Sequence, residues 1–405
     1  MPEAVIVSTA RSPIGRAFKG SLKDVRPDDL TLQMVRAALG RVPELDVADI
    51  DDLILGCGQP GGEAGYNMAR AVAVLAGMDH LPGTTINRYC SSSLQSTRMA
   101  MHAIRAGEGD VFISAGVETV SRSSKGTTDG LPDTKNPAFA EATMRTQRFA
   151  AGGQVWADPR ESGELPDVYI AMGQTAENVA QLRGITREEQ DKFGVRSQNL
   201  AEKAIANGFW QRDITPVTLP DGTVVDRDDG PRARVTLERV AQLAPVFRPD
   251  GTVTAGNCCP LNDGAAAVVV MSDTRAAELG LTPLARIVST GLSALSPEIM
   301  GLGPVDASRQ ALARAGLTID DIDLVEINEA FAAQVIPSAR DLGVDYERLN
   351  VNGGAIAVGH PFGMTGARIT STLINSLQFH DRQLGLETMC VGGGQGMAMI
   401  LERLS

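Results

Sequence analysis

Aromatic side chains make up only 4% of this 405-residue sequence, with two tryptophans, and histidine occurs four times. Imidazoles are therefore scarce enough that each can be read in its own surroundings. Long apolar runs are missing too. Stretches such as residues 265–271 fall far short of the roughly 18 apolar residues that a spanning helix needs, which predicts no membrane span. Basic excess is absent: 37 Lys and Arg against 49 Asp and Glu leave a net charge of −12, which argues against nucleic acid as a partner. No basic region precedes the apolar residues 4–7, and the terminal Glu402-Arg403-Leu404-Ser405 carries no lipidation or peroxisomal address.

Cysteine numbers five, an odd count without a C-x-x-C spacing, and adjacent Cys258 and Cys259 are poor joint zinc ligands. The pattern predicts free thiols in a reducing compartment, a cytoplasmic location and no metal site. There is no G-x-S-x-G elbow and no phosphate-binding G-x-x-x-x-G-K. Residues 56–61 do match G-x-G-x-x-G after a strand-like run. Pro60 and Gly62 disturb the helix that should follow, however, and no second strand intervenes before Asp79, so a dinucleotide site is not supported.

What is present is a chain with 43% apolar residues and 43 glycines, enough to bury a core and too apolar for disorder. At roughly 150 residues per domain the length suggests two to three domains. Short β-like runs alternate with helical patterns over the first ~120 residues, which indicates an α/β domain. Residues 121–250 differ, with both tryptophans, many prolines and helical patterns at 175–182 and 188–206. They read as an insertion. Strand-like runs return at 252–254 and 265–271, and a second α/β half follows. The expected division is 1–120 with 251–280, an insert at 121–250, and 281–405.

That second half echoes the first. Asp49-Ile50-Asp51 follows the helix-like Ala37-Ala38-Leu39, and Asp321-Ile322-Asp323, 272 positions later, follows Ala311-Leu312-Ala313. The same offset carries Cys90 to position 362, two residues from His360. A pseudo-twofold would bring these segments together at a junction between halves, where α/β proteins commonly place a pocket. Chance similarity of two helix–strand units is the competing reading.

Cys90 follows the strand-like residues 84–87 and precedes a helical pattern, with Leu94, Met101 and Ile104 apolar and Gly107 at its end. A thiol at a helix N-terminus is expected to have a lowered pKa and to act as a nucleophile; a buried structural thiol is the alternative. Residues 352–368 set five glycines around His360 and read as a loop, with Pro361 fixing the backbone that aims the imidazole. Cys390 ends an apolar run and enters Val391-Gly392-Gly393-Gly394, whose bare N–H groups could line an oxyanion hole or simply close a turn. Asn328-Glu329 follows the strand-like Leu324-Val325, where polar residues need a purpose.

Taken in order, Asn87-Arg88-Tyr89-Cys90-Ser91-Ser92, Asn328-Glu329-Ala330-Phe331, the loop around His360 and Cys390-Val391-Gly392-Gly393-Gly394 resemble the thiolase family along the whole chain. Residues 254–267 are similar to the stretch where such chains leave their inserted loop domain. The resemblance implies duplicated α/β halves in an αβαβα layering with an inserted CoA-binding loop domain. It implies acyl transfer to coenzyme A, cleaving a 3-ketoacyl-CoA as in fatty-acid beta-oxidation, with CoA as a substrate and no tightly bound cofactor. Cys90 would carry the acyl group and His360 would take its proton. Cys390 would move the second proton, Asn328 would hold a water facing the enolate, and the N–H groups of Cys90 and Gly392 would hold an oxyanion.

By position, Met172, Arg232, Phe247, Ala255, Leu261, Ala330 and Phe331 match CoA contacts, and a homodimer or homotetramer is implied. Three residues depart from the pattern: Ser93 for Gly, Ala171 for a frequent His, and Cys259 for Ser. The alternatives within the fold are a biosynthetic acetoacetyl-CoA thiolase, a non-catalytic acyl-CoA-binding member and a decarboxylating ketoacyl synthase. Full motifs oppose the second and Cys390 opposes the third. Two thiols meeting one substrate sulfur would also be able to form a reversible disulfide.

Overall fold

The computed structural model describes residues 2–125, 134–153 and 155–405. Nine strands form one path of hydrogen-bonded neighbours. They are β1 (Ala4–Arg11), β2 (Asp52–Cys57), β3 (Gly83–Ile86), β4 (Val111–Thr119), β5 (Asn262–Ser272), β6 (Ala285–Ala294), β7 (Leu324–Ile327), β8 (Leu384–Val391) and β9 (Gln395–Arg403). Their order is β3-β2-β4-β5-β1-β6-β9-β8-β7, and the two-residue strand Gly15–Arg16 pairs with β5.

The path is two copies of one pattern. In the first, β2 runs parallel to β4, β4 antiparallel to β5, and β5 antiparallel to β1. In the second, β7 is parallel to β8, β8 antiparallel to β9, and β9 antiparallel to β6. Even the edge is repeated, because Leu349 bridges Val325 in the parallel sense that β3 takes to β2. Among the described residues the halves meet in the ladder at Val5–Arg286 and Ile6–Ala285.

Successive strand residues face opposite layers, as a pleated backbone requires. Ile54, Phe112, Val268 and Val270 point to a central core shared with Met389, Met397 and Met399. Leu53, Leu55, Val111, Ile113 and Val269 point outward, beneath α1 (Pro27–Leu39). On the other side Leu386, Ala398 and Ile400 pack with α5 (Gly303–Ala315) and α6 (Ala332–Leu342). The central layer holds α2 (Ser92–Ala106) and α7 (Thr365–Phe379), giving the expected αβαβα succession.

The helix α2 forms where Leu94, Thr97, Met101 and Ile104 recur on one face, and Gly107, with φ of 75°, closes it in the left-handed conformation. It meets α7 at very short range: a Cβ on Gly366 would lie 2.1 Å from the Leu94 backbone nitrogen. The Ala367 N–H donates to Ser93 Oγ at 2.8 Å beside that crossing. Ser93, a departure from the family pattern, is thereby used as a structural tie.

Two local expectations differ from the structure. Residues 252–254 join no ladder, because the N–H groups of Thr252 and Val253 go to the Glu177 carboxylate. The segment around His360 is not wholly irregular: buried Ala355–Val358 makes one helical turn, closed by Val358 N–H on the Gly354 carbonyl at 2.9 Å. In the insert, the patterns at 175–182 and 188–206 form α3 (Met172–Arg183) and α4 (Arg187–Ala206), the latter opened by a Thr186–Glu189 capping box.

Gly366→Ala is expected to destabilise the fold by about 1–3 kcal/mol, since neither backbone can retreat without dislodging a central helix. A urea unfolding midpoint equal to that of the parent would contradict this.

Candidate active site

Cys90 lies in the short helical turn Tyr89–Ser91 that runs directly into α2, and His360 lies five residues before α7. Crossing near their N-terminal ends, the two helices bring both residues to one region of the molecule. Cys90 is buried, and the backbone N–H groups of Gly392 and of Cys90 itself reach its sulfur. Burial nevertheless dominates and pushes the Cys90 thiol up to about 12, contrary to the lowering expected from its helix N-terminus. Cys390, fully buried near the end of β8, is pushed up by burial and then by Cys90, so the two thiols lie within electrostatic reach.

The imidazole of His360 is held in one tautomer. The Thr365 hydroxyl donates its single hydrogen to the Pro361 carbonyl at 2.7 Å, so it accepts from His360 Nδ1–H, also at 2.7 Å. That leaves Nε2 unprotonated, and Asn328 Nδ2 donates to it at 3.3 Å. The His360 N–H donates to Asn262 Oδ1 at 2.9 Å, while Gly359 turns the chain there with φ of 115°, a conformation that favours glycine. Burial, and after it Arg368, pushes His360 down to about 3, so the ring is neutral at ordinary pH.

Asn328 is placed by its N–H on the Thr388 carbonyl, two residues before Cys390. Its Oδ1 is buried without a hydrogen-bond partner among the described residues. A buried acceptor of that kind calls for a donor from outside the protein.

A cavity of about 650 Å³ is walled by Cys90, Gly392, Met172, Tyr89, Tyr169 and Phe362, among others. The Phe362 ring packs edge-on to His360, with centroids 5.3 Å apart. Of the positions matched to CoA contacts, only Met172 lines this cavity. Phe247 and Phe331 stack edge to face at 6.2 Å, and Cys259 N–H donates to the Ala330 carbonyl. Ala255, Leu261 and Arg232 are exposed, and the Arg232 guanidinium has no ion pair among the described residues.

Two further residues shape the site. Thr365 could have been suspected from its place at the start of α7, five residues after the histidine. Glu118, at the end of the apolar run 111–117, accepts from the N–H groups of Gly58, Gln59 and Gly363. It thereby consumes the N–H groups of the spurious G-x-G-x-x-G stretch, while burial raises its carboxyl to about 7. All five cysteines are free. No group of three His, Cys, Asp or Glu side chains among the described residues could hold a metal ion, and no described helix is long and apolar enough to cross a membrane.

Comparison with known proteins identifies the arrangement. Residues 4–274 match the thiolase N-terminal domain and residues 281–403 the thiolase C-terminal domain. The sequence is 43% identical to a 3-ketoacyl-CoA thiolase of Bacillus subtilis, over 99% of this chain and 100% of that protein. It is also 43% identical to the 3-oxoadipyl-CoA/3-oxo-5,6-dehydrosuberyl-CoA thiolase of Escherichia coli, over the full length of both. Among solved structures, the dimeric peroxisomal thiolase of Saccharomyces cerevisiae superposes with a TM-score of 0.88 at 34% identity, covering 99% of this chain and 97% of that one. The Bacillus anthracis acetyl-CoA acetyltransferase gives 0.86 at 40% identity, covering 100% and 99%. Fold, motif order and full-length similarity agree, and the chain belongs to the thiolase family of acyltransferases.

Proposed function

We propose that this thiolase works in the degradative direction, cleaving a 3-ketoacyl-CoA with CoA to give acetyl-CoA and a shortened acyl-CoA, as in beta-oxidation. The observation that carries this reading is the meeting of the Cys90 sulfur with the N–H groups of Gly392 and Cys90 on the wall of a cavity of about 650 Å³. That space is lined by Val168, Ile170, Met172 and Phe362, apolar side chains that suit the arm of CoA together with an apolar acyl group.

In this reading His360 Nε2 takes the Cys90 proton as the sulfur attacks the 3-keto carbon. The N–H pair at the sulfur then stabilises charge on the carbonyl oxygen. Collapse breaks the C2–C3 bond and releases the enolate of acetyl-CoA, which takes the Cys390 proton. A water donating to the unpartnered Asn328 Oδ1 would also donate to that enolate. The Cys390 thiolate next accepts the proton of the incoming CoA thiol, whose sulfur attacks the acyl-Cys90 thioester. His360 returns its proton to Cys90. Resting charges suit these roles, because burial keeps both thiols protonated and His360 neutral.

CoA would enter as a substrate over the insert, near Arg232, Phe247, Ala255, Leu261, Ala330 and Phe331. Free cysteines support a cytoplasmic enzyme, and a relative described as dimeric supports a homodimer or homotetramer.

A second reading of the acyl group comes from Lys135, the one charged side chain among the described residues lining the cavity, with Nζ 5.4 Å from the Tyr169 ring centre. A cation there suits an acyl chain ending in a carboxylate.

Cys90→Ala should abolish both thiolysis and the acyl-enzyme adduct seen by mass spectrometry after incubation with acetyl-CoA; retained turnover with a 3-ketoacyl-CoA refutes the nucleophile. Thr365→Val should lower kcat by roughly up to 100-fold with little change in KM, through a misaligned base, and Thr365→Ser should restore it. If the carboxylate reading holds, Lys135→Met lowers the kcat/KM ratio of 3-oxoadipyl-CoA over 3-oxohexanoyl-CoA about fivefold, the scale of a solvent-screened ion pair. An unchanged ratio removes that reading and leaves the thiolase chemistry untouched.

A further inference from the structure

We propose that a second cavity, of about 280 Å³ and sharing no lining residue with the Cys90 cavity, is a binding site for a phosphate-bearing anion. The proposal is independent of the acyl specificity argued above. The helix α2 turns Leu94, Met101 and Ile104 into the core and presents Arg98, His102 and Arg105 on an adjoining face. Arg314, in the last turn of α5, and Thr290 of β6 also line the cavity, with Met101, Val288 and Ser289.

Each guanidinium is anchored and only partly used. Arg98 Nε donates to Thr290 Oγ1 at 3.3 Å, Arg105 Nη2 to the carbonyls of Ile287 and Val288 at 3.0 and 3.2 Å, and Arg314 Nη1 to the Thr290 carbonyl at 2.7 Å. Among the described residues the remaining N–H groups have no acceptor, and none of the three arginines makes an ion pair. Their charged neighbours deepen the imbalance. Arg98 is pushed down by burial and then by Arg88 and Arg314; His102 is pushed down by burial and then by Arg98, Arg105 and Arg314.

In a chain of net charge −12 with 49 acidic residues, a merely solvated arginine face would be free to splay or to find a carboxylate. Here three cations are instead fastened by backbone and hydroxyl oxygens around one hollow. That is a standing electrostatic cost which a multiply charged oxyanion relieves. Three guanidinium groups lining one cavity match the several acceptor oxygens of a phosphoryl group better than the two of a carboxylate. The volume leaves room for the group that the phosphate is attached to.

The test is calorimetric titration of the whole protein with inorganic pyrophosphate and with inorganic phosphate. The CoA site is filled throughout with desulfo-CoA, so that its own phosphate contacts contribute no heat. The expected result is saturable binding of one anion per chain that weakens as sodium chloride is raised. Arg98→Gln and, separately, Arg314→Gln should each weaken binding about tenfold, the scale of one lost charge-assisted hydrogen bond. Thiolysis and the thermal midpoint should stay as in the parent. Arg314 is exposed, so its variant keeps the test decisive should Arg98→Gln fold poorly. Absence of saturable binding, equal affinity in the parent and both variants, or succinate binding as tightly as pyrophosphate would each overturn the proposal. So would an Arg98→Glu chain that loses its oligomer while the parent binds no anion, because the arginines would then serve carboxylates of a second copy.

Discussion

The near-contact of two central helices is the constraint from which the site follows. Gly366 of α7 lies against Leu94 of α2 with no room for a Cβ, and Ser93 Oγ is bound by the Ala367 N–H one residue away. Both helices pack in the middle layer, so each N-terminal end is fixed by both halves of the sheet at once. Residues hundreds of positions apart are thereby brought to one region. Glycine at 366 is required here by proximity and not by backbone conformation; at 359, with φ of 115°, the reverse holds, and the positive φ turns the chain into His360.

Electrostatics at this crossing is governed by burial. A helix N-terminus stabilises a nearby anion by roughly 0.3–1 kcal/mol on an exposed surface. Removing a thiolate from water costs more than that, and Cys90 accordingly rests as a thiol at about 12. The same force keeps His360 neutral and raises Glu118 to about 7. The site is therefore assembled from uncharged donors and acceptors. Its polarity comes from fixed N–H groups at the Cys90 sulfur and from the tautomer set by Thr365, both of which can act on charge as it develops in a reaction.

Much of this was legible in the sequence where a local pattern and a repeated pattern coincided. The duplication, the helix after Cys90, the hairpin turn after Cys390 and both helices of the insert follow from apolar spacing and glycine position. What escaped was set by partners distant in the chain. Residues 252–254 have the composition of a strand, but Glu177 takes their N–H groups first. The depth of the Cys90 environment is invisible to a reading that stops at the helix end. Of the residues matched to CoA contacts, Met172 reaches the Cys90 cavity because α3 begins there, whereas Arg232 and Leu261 lie on open surface whose use depends on a ligand.

The duplication also explains how one site can arise from two copies of a pattern. Glu118 at the end of β4 and Val391 at the end of β8 are equivalent positions 273 residues apart, as are Cys90 and Gly363 at the two helix entries. Each strand end reaches the other half's helix entry: the Glu118 carboxylate accepts from Gly363 N–H at 2.9 Å, and the Gly392 N–H beside Val391 lies near enough to the Cys90 sulfur to favour its charged form. The contacts are reciprocal in position and opposite in character. One is a carboxylate saturated by three N–H groups, and so only a fastening; the other leaves N–H donors beside a thiol that opens on a cavity. What separates the copies beyond this is the connection after the strand. β8 returns through Gly392-Gly393-Gly394 directly into β9, while β4 departs into the insert. The insert is pinned to β1 by Arg11, whose Nε and Nη1 hold buried Asp213 and Asp228 at 2.8 and 2.5 Å. From that anchorage it supplies Tyr169, Ile170 and Met172 to the cavity wall, so a chamber forms in front of Cys90, with Phe362 of the other half on its wall.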